Sequence, residues 1–219
     1  MSRYINLLER FASISESLEV VSGFDTFNVE NKLFLEILSP KELEICSGFT
    51  SLKRKYEFIS GRFACKKAFC ELIEGVPFLL NKFPSISIIN TDKGAPFVEK
   101  MPDLHVSISH SHKVAIASIC KRAVGIDIEK IDPKKIQALK RMSPEIQSKC
   151  VFELTAIWTL KESLSKALRT GIVKEFRHYE IENLTFEDRK YLCDFKNFPF
   201  HGIAIFDSLY AIGIVAEKP

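Results

Sequence analysis

The residues of this chain best suited to chemistry are acidic and fall in two separate segments. In Gly125-Ile126-Asp127-Ile128-Glu129, isoleucines alternate with carboxylates. On a β-strand that alternation puts Asp127 and Glu129 on one face and the isoleucines on the other. Trp158-Thr159-Leu160-Lys161-Glu162-Ser163-Leu164-Ser165-Lys166 reads as a helix, with Trp158, Glu162 and Lys166 spaced by fours along one face. If strand and helix pack together, Asp127, Glu129 and Glu162 converge beside Lys166. Oxygen donors of this kind suit a hard divalent cation such as Mg²⁺, which completes its shell with water and substrate phosphate. The lysine is suited to offsetting charge that develops on phosphate oxygens. The pattern points to phosphate chemistry.

The elements that must position these residues follow from periodicity and turn signals. Ile5, Leu7, Leu8 and Phe11 predict an N-terminal helix, and a strand follows over 22–29. Ser39-Pro40-Lys41-Glu42 predicts a helix start, with serine as cap, proline in the first turn and glutamate three residues after the cap. A long helix is expected over 51–74, ended by Gly75 and Pro77. Short strands are expected at 86–90, 97–99, 104–109, 114–119 and 124–129, the last two as an antiparallel hairpin through 120–123. Helices follow at 133–141 and 144–149, then the main C-terminal helix over 152–168, stopping at Gly171. Strands close the chain at 178–184, 191–195, 202–206 and 210–215. This order is α+β and lacks the regular strand–helix alternation of a doubly wound sheet.

With 219 residues, the chain can bury a real core as one large domain or two small ones. No apolar run approaches the ~20 residues of a membrane span, and the N-terminal residues do not read as an export signal. The six cysteines include no C-x-x-C pair and are expected as free, buried thiols of a cytoplasmic protein. His105, His178 and His201 show no metal-ligand spacing, so zinc is unsupported. The net charge of +3 does not imply nucleic-acid binding. Lys53, Arg54, Lys55, Arg62, Lys66 and Lys67 nevertheless share one predicted helix, and Lys134, Lys135, Lys140, Arg141 and Lys149 follow the acidic strand. Each cluster is either a solvated helix face or a docking surface for an acidic partner.

G-I-D-I-E followed by W-x-x-K-E-S-x-x-K resembles the paired signatures of the 4′-phosphopantetheinyl transferases of the Sfp type. Val106-Ser107-Ile108-Ser109-His110-Ser111 is similar to the S-x-S-H stretch of that family, and Lys93-Gly94-Ala95-Pro96-Phe97 to its G-x-P loop. A weaker match reaches back to Phe58-Ile59-Ser60-Gly61-Arg62. The resemblance implies two similar α+β halves related by a pseudo-twofold axis, with the active site in the cleft between them. The N-terminal half (1–122) would carry the basic helix, the G-x-P loop and the S-x-S-H strand. The C-terminal half (123–219) would carry the acidic strand and the W-x-x-K-E-S-x-x-K helix.

The implied activity is Mg²⁺-dependent transfer (Mn²⁺ as a substitute) of the phosphopantetheine arm of coenzyme A to a serine of an acidic apo carrier protein. It releases 3′,5′-ADP. Asp127, Glu129 and Glu162 would bind the metal, and Glu162 either completes that shell or takes the proton of the carrier serine. Lys166, and less directly Lys161, would meet the phosphate under attack. Ser109 and His110, with Arg62 and Lys66, would hold the 3′-phosphate end of the coenzyme. Lys93, Gly94, Ala95 and Pro96 would contact adenine. Some members carry a basic residue between this glycine and proline where the chain has Ala95, which leaves one expected phosphate contact unfilled. The length fits the monomeric members. The alternatives are a non-catalytic homologue that binds coenzyme A or a carrier, and a generic metal-dependent phosphoesterase. Nothing in the sequence selects among carriers of fatty-acid, polyketide or nonribosomal-peptide synthesis.

Overall fold

A computed structural model describes residues 2–18, 20–26, 36–74, 80–170 and 176–219. The expected terminators Gly75, Pro77 and Gly171 lie outside the described residues, as does the end of the first predicted strand. The chain begins with α1 (Ser2–Ser17), β1 (Val21–Thr26), α2 (Pro40–Ser47) and α3 (Leu52–Glu74). The strands β2 (Ile88–Asn90), β3 (Pro96–Val98), β4 (His105–Ser111), β5 (Val114–Cys120) and β6 (Val124–Lys130) follow. Next come α4 (Ile136–Met142) and α5 (Val151–Ala167), then β7 (Ile181–Glu187), β8 (Lys190–Phe195), β9 (Phe198–Phe206) and β10 (Tyr210–Glu217). The class is α+β, as the sequence predicts.

Two antiparallel sheets form the centre, ordered β1-β5-β4 and β6-β10-β9-β8-β7, with β2 and β3 as a separate pair. Their inner faces share one core, in which Val114 and Ile116 of β5 meet Ile126 and Ile128 of β6 and Phe11 of α1. On the outer faces, α3 covers the small sheet through Ala64, Ala68 and Phe69, and α5 covers the large one through Ile157, Leu160 and Leu164. This layering explains why β5 is buried along its whole length: alternate residues enter different cores. It also meets the alternation expected of β6, whose isoleucines turn inward and whose Asp127 faces the opposite way.

The expected hairpin between β5 and β6 does not form. β5 already pairs with β1 on one side and β4 on the other, whereas β6 pairs with β10. Residues 121–123, which contain none of the Gly, Asn or Asp of a tight hairpin turn, carry the chain from one sheet to the other. Arg122 pins this crossover by donating to the Glu217 carbonyl at 2.8 Å and the Leu18 carbonyl at 3.1 Å. Residues 144–149 are likewise not helical. There Glu145 is drawn to Lys161 at 2.6 Å, while the Ser148 hydroxyl bonds Glu153 and accepts from the Cys150 amide at 3.0 Å.

The two sheets meet edge to edge without a backbone ladder. The hydroxyls of Ser107, Ser109 and Ser111 accept from the amides of Ile126, Ile128 and Lys130 at 3.0, 3.3 and 3.0 Å. Alternation along β4 aims these hydroxyls in one direction, and alternation along β6 presents the matching amides. The far edge of the large sheet is β7, exposed over most of its length, with a register shift between Glu182 and Thr185.

α5 lies directly on β6 because Gly125 has no side chain. A Cβ there would stand 1.8 Å from the Ser163 carbonyl oxygen and 2.7 Å from the Ala167 amide. This backbone contact sets the height of Glu162 and Lys166 over Asp127. The Trp158 ring packs 4.5 Å from Phe176 on the flank of α5, in the core role expected for a tryptophan. Gly125→Ala should therefore force α5 off the sheet and cost about 1–3 kcal/mol, read as a lower urea midpoint with an unchanged m-value.

Candidate active site

Asp127 lies at the junction of the two sheets and α5. Its Oδ1 accepts from the Ser109 hydroxyl at 2.7 Å and from Lys166 Nζ at 2.8 Å. Lys166 also donates to the Ile126 carbonyl at 3.0 Å, so the ammonium is tied to the acidic strand at two points. Asp127 is only 6% exposed, and its Oδ2 is buried with no hydrogen-bond partner among the described residues. Glu162 stands close enough to feel its neighbours. Burial pushes its carboxyl up to about 7, and Asp127 and Glu129 add to the rise against the opposing pull of Lys166. Glu129 is half-buried and meets Lys135 at 3.3 Å.

The donor set fits a hard cation: oxygen ligands only, one carboxylate oxygen buried without a hydrogen-bond partner among the described residues, and a Glu162 carboxyl raised by the charges of Asp127 and Glu129. Among the described residues no three aspartate, glutamate, histidine or cysteine side chains stand grouped so as to hold a metal ion as they lie. The Lys166 ammonium holds one oxygen of Asp127 instead.

Two cavities flank β4. One of about 260 Å³ lies between the loop Lys93, Gly94, Ala95, Pro96 and the C-terminal half of α5, where Glu162, Ser165, Lys166 and Arg169 line it. The loop is a tight turn at Gly94 (φ 85°), whose amide bonds the Thr91 carbonyl at 2.8 Å. The other cavity, about 760 Å³, is lined by Lys41, Arg54, Phe58, Arg62, Asn90 and His110, among others. Arg62 is fixed there: Nε donates to the Ile88 carbonyl at 2.8 Å, Nη2 donates to Asn90 Oδ1 at 2.9 Å, and the guanidinium lies 4.2 Å from the Phe58 ring centroid. His110 packs on Gly61 of α3, where a Cβ would come within 2.6 Å of Nε2, an atom buried without a hydrogen-bond partner among the described residues. Burial first, then the Lys166 charge, lowers the imidazole to about 4, against a hydrogen bond to the Glu57 backbone. It is neutral at physiological pH. A third pocket of about 290 Å³, lined by His112, Lys130, Lys134 and Lys135 among others, adjoins the Glu129 end of β6.

The structure thus brings together Asp127, Glu129, Glu162, Lys166 and Ser109, with Lys93 to Pro96 across one cavity and Arg62 and His110 in the other. Two lysines are placed otherwise. Lys66 is fully buried, donating to the Ile37 carbonyl at 2.7 Å, the Phe83 carbonyl at 2.9 Å and the Glu42 carboxylate at 2.5 Å. Its three N–H groups are used, and it cannot reach a coenzyme. Lys161 is also buried, bonded to Glu145 and to the Met142 carbonyl at 3.1 Å, and holds the segment between α4 and α5. Both are structural ion pairs. Asn90 and Arg169 escape sequence reasoning, because nothing in their spacing marks them, whereas Arg54 is marked only as a member of the basic helix cluster. Glu42 is visible only as a capping residue, and it does cap, accepting from the Ser39 amide at 2.8 Å. Its carboxylate also accepts from the Ile88 amide at 2.9 Å and lies 3.9 Å from Arg62.

Sequence comparison matches residues 49–120 to the 4′-phosphopantetheinyl transferase N-terminal domain and residues 123–206 to the 4′-phosphopantetheinyl transferase superfamily. A holo-[acyl-carrier-protein] synthase of Streptococcus agalactiae is 38% identical over 93 residues, covering 41% of this chain and 77% of that protein. The chain belongs to the 4′-phosphopantetheinyl transferase superfamily. The transferase is also 26% identical over 152 residues to 4′-phosphopantetheinyl transferase Sfp of Bacillus subtilis, 65% of each chain. A solved holo-(acyl-carrier-protein) synthase from Bacillus anthracis, in complex with CoA (3′,5′-ADP), superposes with a TM-score of 0.36 at 28% identity, covering 46% of this chain and 94% of that one.

The charge on Glu162 has a cost that can be measured without any ligand. Its folded value lies above the ordinary carboxylate value of 4.5, so the fold favours the protonated form. The stability this contributes is complete below about pH 4.5 and is lost as pH rises through about 7. In metal-free protein, Glu162→Gln should match the parent at pH 4.5 and exceed it by about 2 kcal/mol at pH 8, allowing for partial exposure. Paired urea melts at the two pH values give the comparison.

Proposed function

We propose that this transferase moves the 4′-phosphopantetheine arm of coenzyme A onto a serine hydroxyl of an apo carrier protein in a Mg²⁺-dependent reaction. The observation that carries this reading is the Asp127–Lys166–Glu162 cluster at the mouth of the cavity under the Lys93–Pro96 loop. Asp127, Glu129 and Glu162 would hold the cation, with Lys166 beside them. The bound cation supplies positive charge at the diphosphate and acidifies oxygens in its shell. The carrier serine oxygen attacks the phosphorus that bears the pantetheine arm. The bond to the bridging oxygen breaks, and 3′,5′-ADP leaves. Lys166 offsets charge on the non-bridging oxygens. Glu162 would either complete the cation's shell or take the serine proton, and burial favours its protonated form only while no cation is bound.

Arg62 and His110 would receive the 3′-phosphate in the larger cavity. The pocket of Lys130, Lys134 and Lys135 beside Glu129 would meet the acidic helix of the carrier, a steering contact that salt screens.

Incubation with CoA, Mg²⁺ and an apo carrier should add one phosphopantetheine to the carrier by mass spectrometry. Asp127→Ala should abolish the gain while the fold stays cooperative. CoA breakdown without carrier modification would favour a phosphoesterase, and no change at all a binding-only homologue.

The 3′-phosphate assignment has its own test. His110→Ala and Arg62→Ala should each weaken CoA binding about tenfold and dephospho-CoA binding far less. Equal losses for the two ligands would remove both residues from that phosphate.

A further inference from the structure

Arg169 is the one residue of the smaller cavity that neither the motifs nor the proposed chemistry uses. It follows the last turn of α5, its amide bonding the Lys166 carbonyl at 3.1 Å, in a left-handed conformation with φ 53°. A side chain bearing a Cβ is uncommon there, and such strain persists where the surroundings impose it. Arg169 lines the cavity with Lys93 and Lys166, and its Nη2 is buried without a hydrogen-bond partner among the described residues. A buried guanidinium N–H left unpaired is costly, and an absent acceptor is the usual reason. The opposite wall supplies no cation between Gly94 and Pro96, where Ala95 stands. Glu162 is the sole carboxylate among the lining residues, against the cations of Lys93, Lys166 and Arg169.

We propose that Arg169 binds the 5′-phosphate side of an adenosine nucleotide in this cavity, supplying from the end of α5 the positive charge that the Lys93–Pro96 loop lacks at Ala95. The proposal rests on the reading of the cavity as the coenzyme site. It makes Arg169 a residue for ligand affinity: its planar donors suit a phosphate group, and the group it holds departs with the 3′,5′-ADP. A cation at this helix end also meets the C-terminal dipole favourably, so a purely structural role has to be separated by the readout.

Arg169→Gly serves that purpose, since glycine removes the guanidinium and also relieves the left-handed backbone. Its melting temperature should stay within ~4 °C of the parent. By calorimetry its Kd for CoA and for adenosine 3′,5′-bisphosphate should rise about tenfold, the worth of one charged hydrogen bond. The Kd for 3′-AMP, which lacks the 5′-phosphate, should change less than about twofold. Arg169→Gln, which keeps the chain length without the charge, should repeat the pattern. Arg169→Lys should recover part of the loss. Unchanged CoA binding in Arg169→Gly, or equal losses for 3′-AMP and the bisphosphate, would overturn the assignment. Failure of the parent protein to bind CoA would overturn the coenzyme reading first and this inference with it.

Discussion

The serine hydroxyls of β4 bonded to the amides of β6 are the interaction on which the rest of the molecule depends. They join two sheets that share no backbone pairing, at the place where Asp127 must sit. Ser109 has a double task, accepting from the Ile128 amide while donating to Asp127, so one hydroxyl fixes both the junction and the carboxylate. The two cavities lie on either side of β4, one reached by His110 and the other by Val106, Ser107 and Ile108.

Around this junction the charges divide by solvation. Lys66–Glu42 and Lys161–Glu145 bury ionised lysines, with desolvation lowering both ammonium groups while their carboxylate partners oppose it. A buried pair of this kind contributes little net stability but is costly to break, and it fixes geometry. Glu42 spans α2, β2 and α3 and so stiffens the wall that presents Arg62. Glu145 and Lys161 hold the entry to α5. Asp127, Glu129 and Glu162 are left in mutual repulsion relieved in part by Lys166 and Lys135. Buried, paired charges thus surround a centre in which Glu162 is held against the charges of Asp127 and Glu129.

Much of this was legible in the sequence where local physics decides. The alternation of Ile126 and Ile128 with Asp127 and Glu129 predicts the two faces of β6, and fours-spacing from Trp158 to Lys166 predicts the face of α5. Ser39 and Glu42 predict their own cap. What the sequence hides is non-local. Proximity along the chain suggests that β5 pairs with β6, but β1 and β4 compete for the same edges and win. A lysine in a motif carries no sign of whether it faces a cleft or a core, so Lys66 and Lys161 could be placed only by structure. The S-x-S-x-S run at Ser107, Ser109 and Ser111 was readable as a strand, but its bonds cross to another sheet.

The hydroxyl junction also bears on pairing between strand edges of separate copies of the chain. Strand edges with free amides invite pairing with a second chain. At the centre of the molecule the β6 amides are taken by serine oxygens, so that edge offers no regular template for another strand. The exposed β7 edge is guarded differently, by Glu182 and Glu187 and by the register shift between Glu182 and Thr185, which breaks the regular spacing an incoming strand would need. The device that builds the site is therefore also a barrier to aggregation, and loss of the serines would expose a β edge as well as disturb a carboxylate.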